Sequence, residues 1–455
     1  MIMRKLYIIL VCIIVFFFTS LLLHHLSDVD TPAEETISLP EDSALGCTAT
    51  PAPSPEPTQE PVPAPPEVYD ARLSAADAII SSDIESGFPG AVLLVAKDGE
   101  VIFRKAYGYL QKYDGLSELI SPVTMQTDTV FDLASLTKEY ATVLAVMKLI
   151  DSGLITLDSF AYEFLPAFDK PPYDEITIRQ LLNHSAGFPS DIKFFRPDVE
   201  EGPQFYSTQR ENTISLLSEV PLEYDPGTDT VYSDIGYMVL GAIVEEISGI
   251  RLDEFVYRYI YAPLELENQI GYLPAENGFD IQNIACTERL GNTRDGLVSF
   301  PGARDYTLQG EVHDEKAYYS MGGVSGHAGL FSDADAINVL NQLLLRGGAY
   351  EGTALFTPET ANEFTSVHDS SRYQLGFSNA STYASLKDCV PENTLCHTGW
   401  TGTFSLIDKK NNLSVVLLTN KRHSPITDGD FEGASYETGK YYGVICSIYE
   451  GLGLK

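Results

Sequence analysis

The chain has 455 residues, 44% apolar and 20% charged, which supports a large buried core and excludes a wholly disordered protein. Its 64 acidic against 29 basic side chains give a net charge of -35, a field that repels phosphate backbones and argues against a nucleic-acid partner. The length admits two or three domains, so punctuation along the chain must decide.

The first residues differ in kind from the rest. Arg4 and Lys5 precede Leu6 to Leu23, an almost uninterrupted apolar run long enough to span most of a bilayer. The run ends in His24, His25, Leu26, Ser27 and Asp28 without a small-x-small cleavage site, so residues 1–27 are predicted as an uncleaved, single-pass membrane anchor rather than a signal peptide. Either way the remainder is exported, and the catalytic domain is expected outside the cytoplasm. Residues 28–67 turn to Pro, Glu, Ser and Thr, with Pro51, Pro53, Pro55, Pro57, Pro61, Pro63, Pro65 and Pro66 nearly alternating. Such a segment cannot build a core and reads as a disordered, extended stalk. No further break of this kind follows, so residues 68–455 are predicted as one catalytic body.

That body opens with a helical pattern over residues 73–86. Residues 91–109 then alternate like two strands joined at Lys97-Asp98-Gly99-Glu100. The end mirrors the beginning: residues 402–407 and 413–419 are β-rich, and a last helix is predicted over 437–452. Strands at both ends with helices between them predict an α+β fold, one antiparallel sheet made by the two ends of the body beside a mostly helical region over 135–346. Of six cysteines, Cys12 lies in the anchor and Cys47 in the stalk. Among Cys286, Cys389, Cys396 and Cys446, the pair Cys389 and Cys396 is closest in sequence and either closes a small loop or stays as two thiols.

Three stretches carry chemistry. In Phe131-Asp132-Leu133-Ala134-Ser135-Leu136-Thr137-Lys138, Ser135 opens a helix whose apolar face is Tyr140, Val143, Leu144, Met147 and Ile150. A spacing of three places Lys138 one turn from Ser135, where a desolvated amine can take the hydroxyl proton. The Ser135 N–H, at a positive helix end, suits a developing oxyanion. Ser190 and Lys193 repeat the spacing in a Pro-flanked loop without a buried helix. In Val231-Tyr232-Ser233-Asp234-Ile235-Gly236-Tyr237, Tyr232 stands just before a helix and can relay a proton to the leaving group. In Cys396-His397-Thr398-Gly399-Trp400-Thr401-Gly402-Thr403, a strand entry offers Gly399 and Gly402 as places where a ligand can lie close. The Trp400 N–H is a second oxyanion donor, and His397 and Thr398 are contacts for leaving group or carboxylate.

Together and in this order, the three resemble the Ser-x-x-Lys, Tyr-x-Asn and Lys-Thr-Gly elements of the serine β-lactamase and penicillin-binding protein superfamily. Leu181-Leu182-Asn183-His184-Ser185-Ala186-Gly187-Phe188 resembles the class C-like members. The stretches at 292–296, 310–318, 322–332 and 422–425 resemble the penicillin-binding protein 4B branch. The resemblance implies a D-alanyl-D-alanine carboxypeptidase acting on peptidoglycan stem peptides through an acyl-enzyme on Ser135, with β-lactams as acylating ligands and no cofactor. Alternatives are an esterase or amidase on small acyl substrates, a weak β-lactamase, or a catalytically feeble penicillin-binding or wall-interaction protein. Two departures stand out: Asp234 replaces Asn, where a carboxylate can lower affinity for anionic β-lactams or stabilise a positive Lys138, and His397 replaces Lys. His313, Asp314 and His327 invite a metal hypothesis, but they lack ligand spacing, so no metal is expected and their glycine-rich context reads as a loop roofing the pocket.

Overall fold

The computed structural model of the chain describes residues 63–199 and 202–454. The predicted anchor and nearly all of the predicted stalk lie outside the described residues. Among the described residues no helix is long and apolar enough to cross a membrane.

In chain order the principal elements are α1 (Ser74–Glu85), β1 (Gly90–Lys97), β2 (Glu100–Asp114), β3 (Ser117–Thr124), β4 (Phe131–Asp132) and α2 (Leu144–Asp151). They continue through α3 (Asp234–Ser248), β5 (Ile270–Tyr272), α4 (Glu315–Met321), β6 (Leu330–Ser332) and α5 (Ala334–Leu345). The end of the chain supplies β7 (Ser378–Asn379), β8 (Leu395–Thr398), β9 (Thr403–Asp408), β10 (Leu413–Thr419) and α6 (Tyr442–Gly451).

The two predicted strand pairs meet in one seven-stranded sheet, ordered β3-β2-β1-β10-β9-β8-β7. The seam between the two ends of the body is the antiparallel pair β1 and β10, with Ala91 opposite Thr419 and Lys97 opposite Leu413. Alternation along these central strands assigns their faces. Ala91, Leu93, Val95, Val415 and Leu417 face a cluster that contains Leu73, Ile80, Val444, Ile445 and Ile448 of the terminal helical segments. Val92, Leu94, Val416 and Leu418 face the other way, into the large core of the helical region with Tyr140, Leu144 and Leu340. Both faces are therefore covered, which is why every residue of β10 is buried and its sequence reads as a nearly continuous apolar run. Full burial of each such Val or Leu is worth roughly 1.5–3 kcal/mol, so the seam is held mainly by apolar contact.

Three features depart from the sequence reading. The last helix breaks at Tyr441, whose φ of 70° separates Glu437–Lys440 from α6. A small second sheet, ordered β4-β6-β5, takes β5 and β6 from the predicted helical region and β4 from just before it. The cysteine pairing is also different: Cys389 bonds Cys446, while Cys396 stays a buried free thiol like Cys286. Cys389, Cys396 and Cys446 all belong to the cluster between the sheet and the terminal helices, so proximity in sequence does not select the pair.

Candidate active site

β4 ends in a turn that is fixed from several sides. Asp132, buried, accepts hydrogen bonds from the backbone of Ala134 at 2.8 Å and of His313 at 2.6 Å. Burial raises its carboxyl above the usual range while the two N–H donors oppose the shift. Its carbonyl accepts from the Thr401 hydroxyl at 2.6 Å, and the Leu133 carbonyl accepts from Thr403 at 2.8 Å. These bonds fasten the turn to the start of β9. Ala134 follows at φ 47°, a left-handed conformation that costs a non-glycine residue about 1 kcal/mol or more. Between Thr129 and Leu149 every residue is buried except Ser135. The turn thus lifts one hydroxyl out of the core.

Ser135 lies in a short 3-10 turn, Ala134–Leu136, followed by one π-helical turn, Lys138–Val143, and then α2. Lys138, with no exposed side-chain surface, directs Nζ to three oxygens: Ser135 Oγ at 3.2 Å, Asp234 Oδ1 at 2.8 Å and the His327 carbonyl at 3.2 Å. These three contacts use the full hydrogen-bonding capacity of the nitrogen. Asp234 is brought there as the first residue of α3, where the Ser233 side chain caps the helix by accepting from Gly236. Its second oxygen holds Lys316 of α4 at 3.1 Å, and Lys316 also meets Asp191 at 2.8 Å and Asp314 at 3.5 Å. Burial alone would raise the Asp234 carboxyl, but the Lys138 and Lys316 ammonium groups overcome it and hold the carboxyl well below the usual range. Asp314, paired with Lys316 and with His327 at 2.9 Å, is lowered in the same way against its burial.

Asp234, Asp314 and His327 lie close enough together to suggest a cation site. Lys138 and Lys316 already bring the positive charge to those carboxylates, so the arrangement is an ion network behind the nucleophile. The glycine-rich stretch 322–332 belongs to this backing and does not roof the pocket. Thr142 bonds the Gly326 carbonyl at 2.6 Å, and Leu330 N donates to the Thr137 hydroxyl at 3.1 Å.

Tyr232, just before α3, has Lys138 Nζ 4.8 Å from its ring centre, and its ring lies 4.5 Å from His184 and 5.7 Å from Tyr373. Burial and the Asp234 charge push its hydroxyl well above the ordinary range, although a hydrogen bond with Ser135 opposes the shift. A phenol so disposed passes a proton rather than resting as phenolate. His184 is held by the Ser233 N–H at 3.0 Å and kept neutral, first by burial and then by nearby Lys138 and His397.

The third motif forms the opposite wall. Ser135, Tyr232, His397, Thr398, Gly399 and Trp400 line one cleft of about 430 Å³, together with Arg372, Tyr373, Ser378, Tyr383, Lys421, Arg422, Tyr441 and Tyr442. The structure therefore brings every predicted site residue to the cleft or, for Lys138 and Asp234, directly behind it. The glycines have another reason than ligand approach. A Cβ at Gly399 would fall 2.3 Å from the Leu133 carbonyl and 2.1 Å from the Thr403 hydroxyl, and at Gly402 2.3 Å from the Thr419 hydroxyl, so close backbone packing demands them. His397 is neutral, pushed down to about 3 by burial and by Lys138. The exposed Trp400 carries the Arg422 guanidinium 3.8 Å from its ring centre, and Lys421, pushed down to about 7 by burial and Arg422, donates to Tyr441 at 2.6 Å. Arg372, Lys421, Arg422, Lys316, Thr401 and Thr403 were not singled out from sequence as contributors to the site. Lys316, Arg422, Thr401 and Thr403 fall inside stretches that the sequence resemblance marks, whereas Arg372 and Lys421 carry no such signal.

Fold and site together define a serine hydrolase in which a hydroxyl, a lysine and a tyrosine face a cleft at the junction of sheet and helical region. The chain belongs to the β-lactamase family, whose model matches residues 50–434. Two relatives extend the likeness. An "N-acetylmuramyl-L-alanine amidase" of Bacillus subtilis (strain 168) is 44% identical over 396 residues, covering 84% of this chain and 89% of that protein. A "Putative D-alanyl-D-alanine carboxypeptidase" of Escherichia coli (strain K12) is 41% identical over 396 residues, with 84% and 91% covered. Among solved structures, "EstCE1, a hydrolase with promiscuous acyltransferase activity" matches with a TM-score of 0.62 at 25% identity, over 83% of this chain and 98% of that one. A penicillin-binding protein homologue from Caulobacter crescentus shares the fold, with a TM-score of 0.62 at 19% identity over 84% and 98%.

Proposed function

We propose that this chain is a membrane-anchored, extracytoplasmic hydrolase that cuts an amide bond of peptidoglycan peptides through an acyl-enzyme on Ser135. The observation that carries the reading is the convergence of three distant motifs on one cleft, with Ser135 alone emerging from a buried run. In the forward step Ser135 Oγ bonds to the carbonyl carbon as its proton passes to Tyr232, and Tyr232 gives a proton to the amine nitrogen as the C–N bond breaks. Lys138 holds Oγ in place, and the Ser135 and Trp400 N–H groups stabilise the oxyanion. Asp234 accepts from Lys138 beside the Tyr232 ring, so proton transfer runs through the Lys138–Tyr232 pair.

The first reading of the substrate is a D-alanyl-D-alanine stem peptide. Arg372, Lys421 and Arg422 share the cleft with Ser135 and suit a carboxylate next to the scissile amide. This also gives β-lactams a route to acylate Ser135. The second reading is the N-acetylmuramyl–L-alanine amide, favoured by the relative of that name and by the aromatic wall of Trp400, Tyr373, Tyr383 and Tyr442, which suits a sugar face. The Cys389–Cys446 bond accords with an oxidising compartment. Incubating the protein with a D-Ala-D-Ala tripeptide, N-acetylmuramyl dipeptide, a nitrophenyl ester and a penicillin separates the readings. Release of D-alanine supports the first and release of the muramyl acid supports the second. Turnover of the ester alone, with neither peptide cut, overturns both.

A further inference from the structure

Glu139, immediately after Lys138, is a buried carboxyl that the acylation step does not use. Its side chain is 1% exposed, and neither oxygen has a hydrogen-bond partner among the described residues at ordinary bonding distance. Oε1 stands 3.5 Å from His397 Nδ1. A carboxyl buried in this way costs more than an apolar side chain of the same size, so its position calls for a reason. Its surroundings are Lys138, Tyr140, Tyr232, Tyr237, Cys396 and His397.

The geometry of His397 supplies one. Nδ1 lies 2.9 Å from the Thr398 carbonyl, an approach that is favourable only when Nδ1 carries the proton. Nε2 then keeps a lone pair, on a ring that lines the same cleft as Ser135. We propose that His397 is the base that activates the deacylating water, and that Glu139 is a positioning residue whose carboxyl oxygen, 3.5 Å from Nδ1 and short of a hydrogen bond, favours the proton on that nitrogen. The proposal rests on the acyl-enzyme reading above. In the step, the water oxygen bonds to the acyl carbon while its proton passes to Nε2. The tetrahedral intermediate collapses by breaking the bond to Ser135 Oγ, which takes a proton from the Lys138–Tyr232 pair, and His397 returns its own proton to that pair through solvent. Burial raises the Glu139 carboxyl and lowers His397, which favours the neutral form of each and leaves the Nε2 lone pair free.

The test uses p-nitrophenyl acetate, which reports acylation as a burst of nitrophenolate and deacylation as the steady rate, independently of the natural substrate. His397→Ala should leave the burst within about fivefold but slow the steady rate roughly tenfold to a hundredfold, below the usual span for a histidine tuned near neutrality. An acetyl group should accumulate on Ser135 by mass spectrometry, and hydroxylamine, a nucleophile that needs no base, should restore turnover. Glu139→Gln, which keeps an acceptor oxygen, should stay within about threefold of wild type, while Glu139→Leu should lose the same step as His397→Ala. His397→Gln guards against misfolding of the alanine variant and should show the same split. Equal slowing of burst and steady rate, or no acetyl adduct in the His397 variants, overturns the base assignment. Equal loss in Glu139→Gln and Glu139→Leu overturns the positioning role, and a wild-type enzyme that forms no acetyl-Ser135 overturns the acyl-enzyme reading with it.

Discussion

Lys138→Met and Asp234→Asn both break the ion pair behind Ser135, yet the structure assigns them different costs. Methionine matches the length of the lysine stem in a site with no exposed surface, so the change is electrical rather than volumetric. Asp234 then keeps Lys316 at 3.1 Å, and Lys316 keeps Asp191, so no buried charge is left alone. The loss is a charged hydrogen-bond set, about 1.5–3 kcal/mol. Asp234→Asn instead strips the carboxylate from two buried ammonium groups. Lys316 retains Asp191 and Asp314, but Lys138 is left with neutral acceptors alone, Ser135 Oγ, the His327 carbonyl and the amide oxygen at position 234. Leaving one member of a buried pair uncompensated costs roughly 3–5 kcal/mol. Urea unfolding of the two variants should therefore rank Asp234→Asn as the less stable, while Lys138→Met should show the larger loss in the nitrophenyl acetate burst, about a hundredfold to ten-thousandfold. Equal destabilisation by the two changes, or a wild-type burst from Lys138→Met, would refute the assignment of these roles.

Ser135→Ala should abolish labelling by a fluorescent penicillin and cut ester turnover by at least about a thousandfold. Ser190→Ala should change neither, because Ser190 and Lys193 lie exposed in a loop. Removing the Cys389–Cys446 bond by Cys389→Ser releases a separation of 57 residues, which chain entropy values at about 4 kcal/mol. Dithiothreitol should lower the unfolding midpoint of the wild type toward the variant's and leave the variant unmoved. Asp333 caps α5 by accepting from Ala336 at 2.8 Å, and burial pushes its carboxyl up to about 8. A folded value above the unfolded one gives stability that is complete below pH 4 and is lost as pH rises toward 8. Asp333→Asn keeps the cap without the titration, so its stability relative to wild type should rise from pH 5 to pH 8 in parallel urea titrations, and a falling difference would contradict the burial argument.

What was legible in the sequence is what local spacing controls. Ser135 and Lys138 meet because three residues make about one helical turn, and Tyr232 and Asp234 are delivered together by the capped start of α3. The first hairpin was legible from period-two alternation and the second from its β-rich composition, and their union in one sheet from their mirrored places in the body. Lys316, Arg372 and the Cys446 partner of Cys389 were not, because each reaches its position through packing between segments far apart in sequence. No local pattern encodes such an approach.

Glu139 was hidden for a different reason. Lys138 reads as turned toward Ser135 by its spacing, but Glu139 and Lys148 beside an apolar stripe read as a face turned to water. Here the helix runs through the centre of the molecule, and all of its residues from Lys138 to Leu149 are buried. Its charged residues must therefore find partners inside: Lys138 finds Asp234, Lys148 donates to the Leu355 carbonyl at 3.1 Å, and Glu139 stands against His397. The π-helical turn widens the helix where Lys138 and Glu139 are adjacent, a distortion that recurs at functional positions. Two successive side chains then serve opposite sides of the site, Lys138 the nucleophile and Glu139 the imidazole on β8. A solvated face would exert no such constraint, so substitutions at Glu139 should be felt in the chemistry of the cleft rather than at the surface.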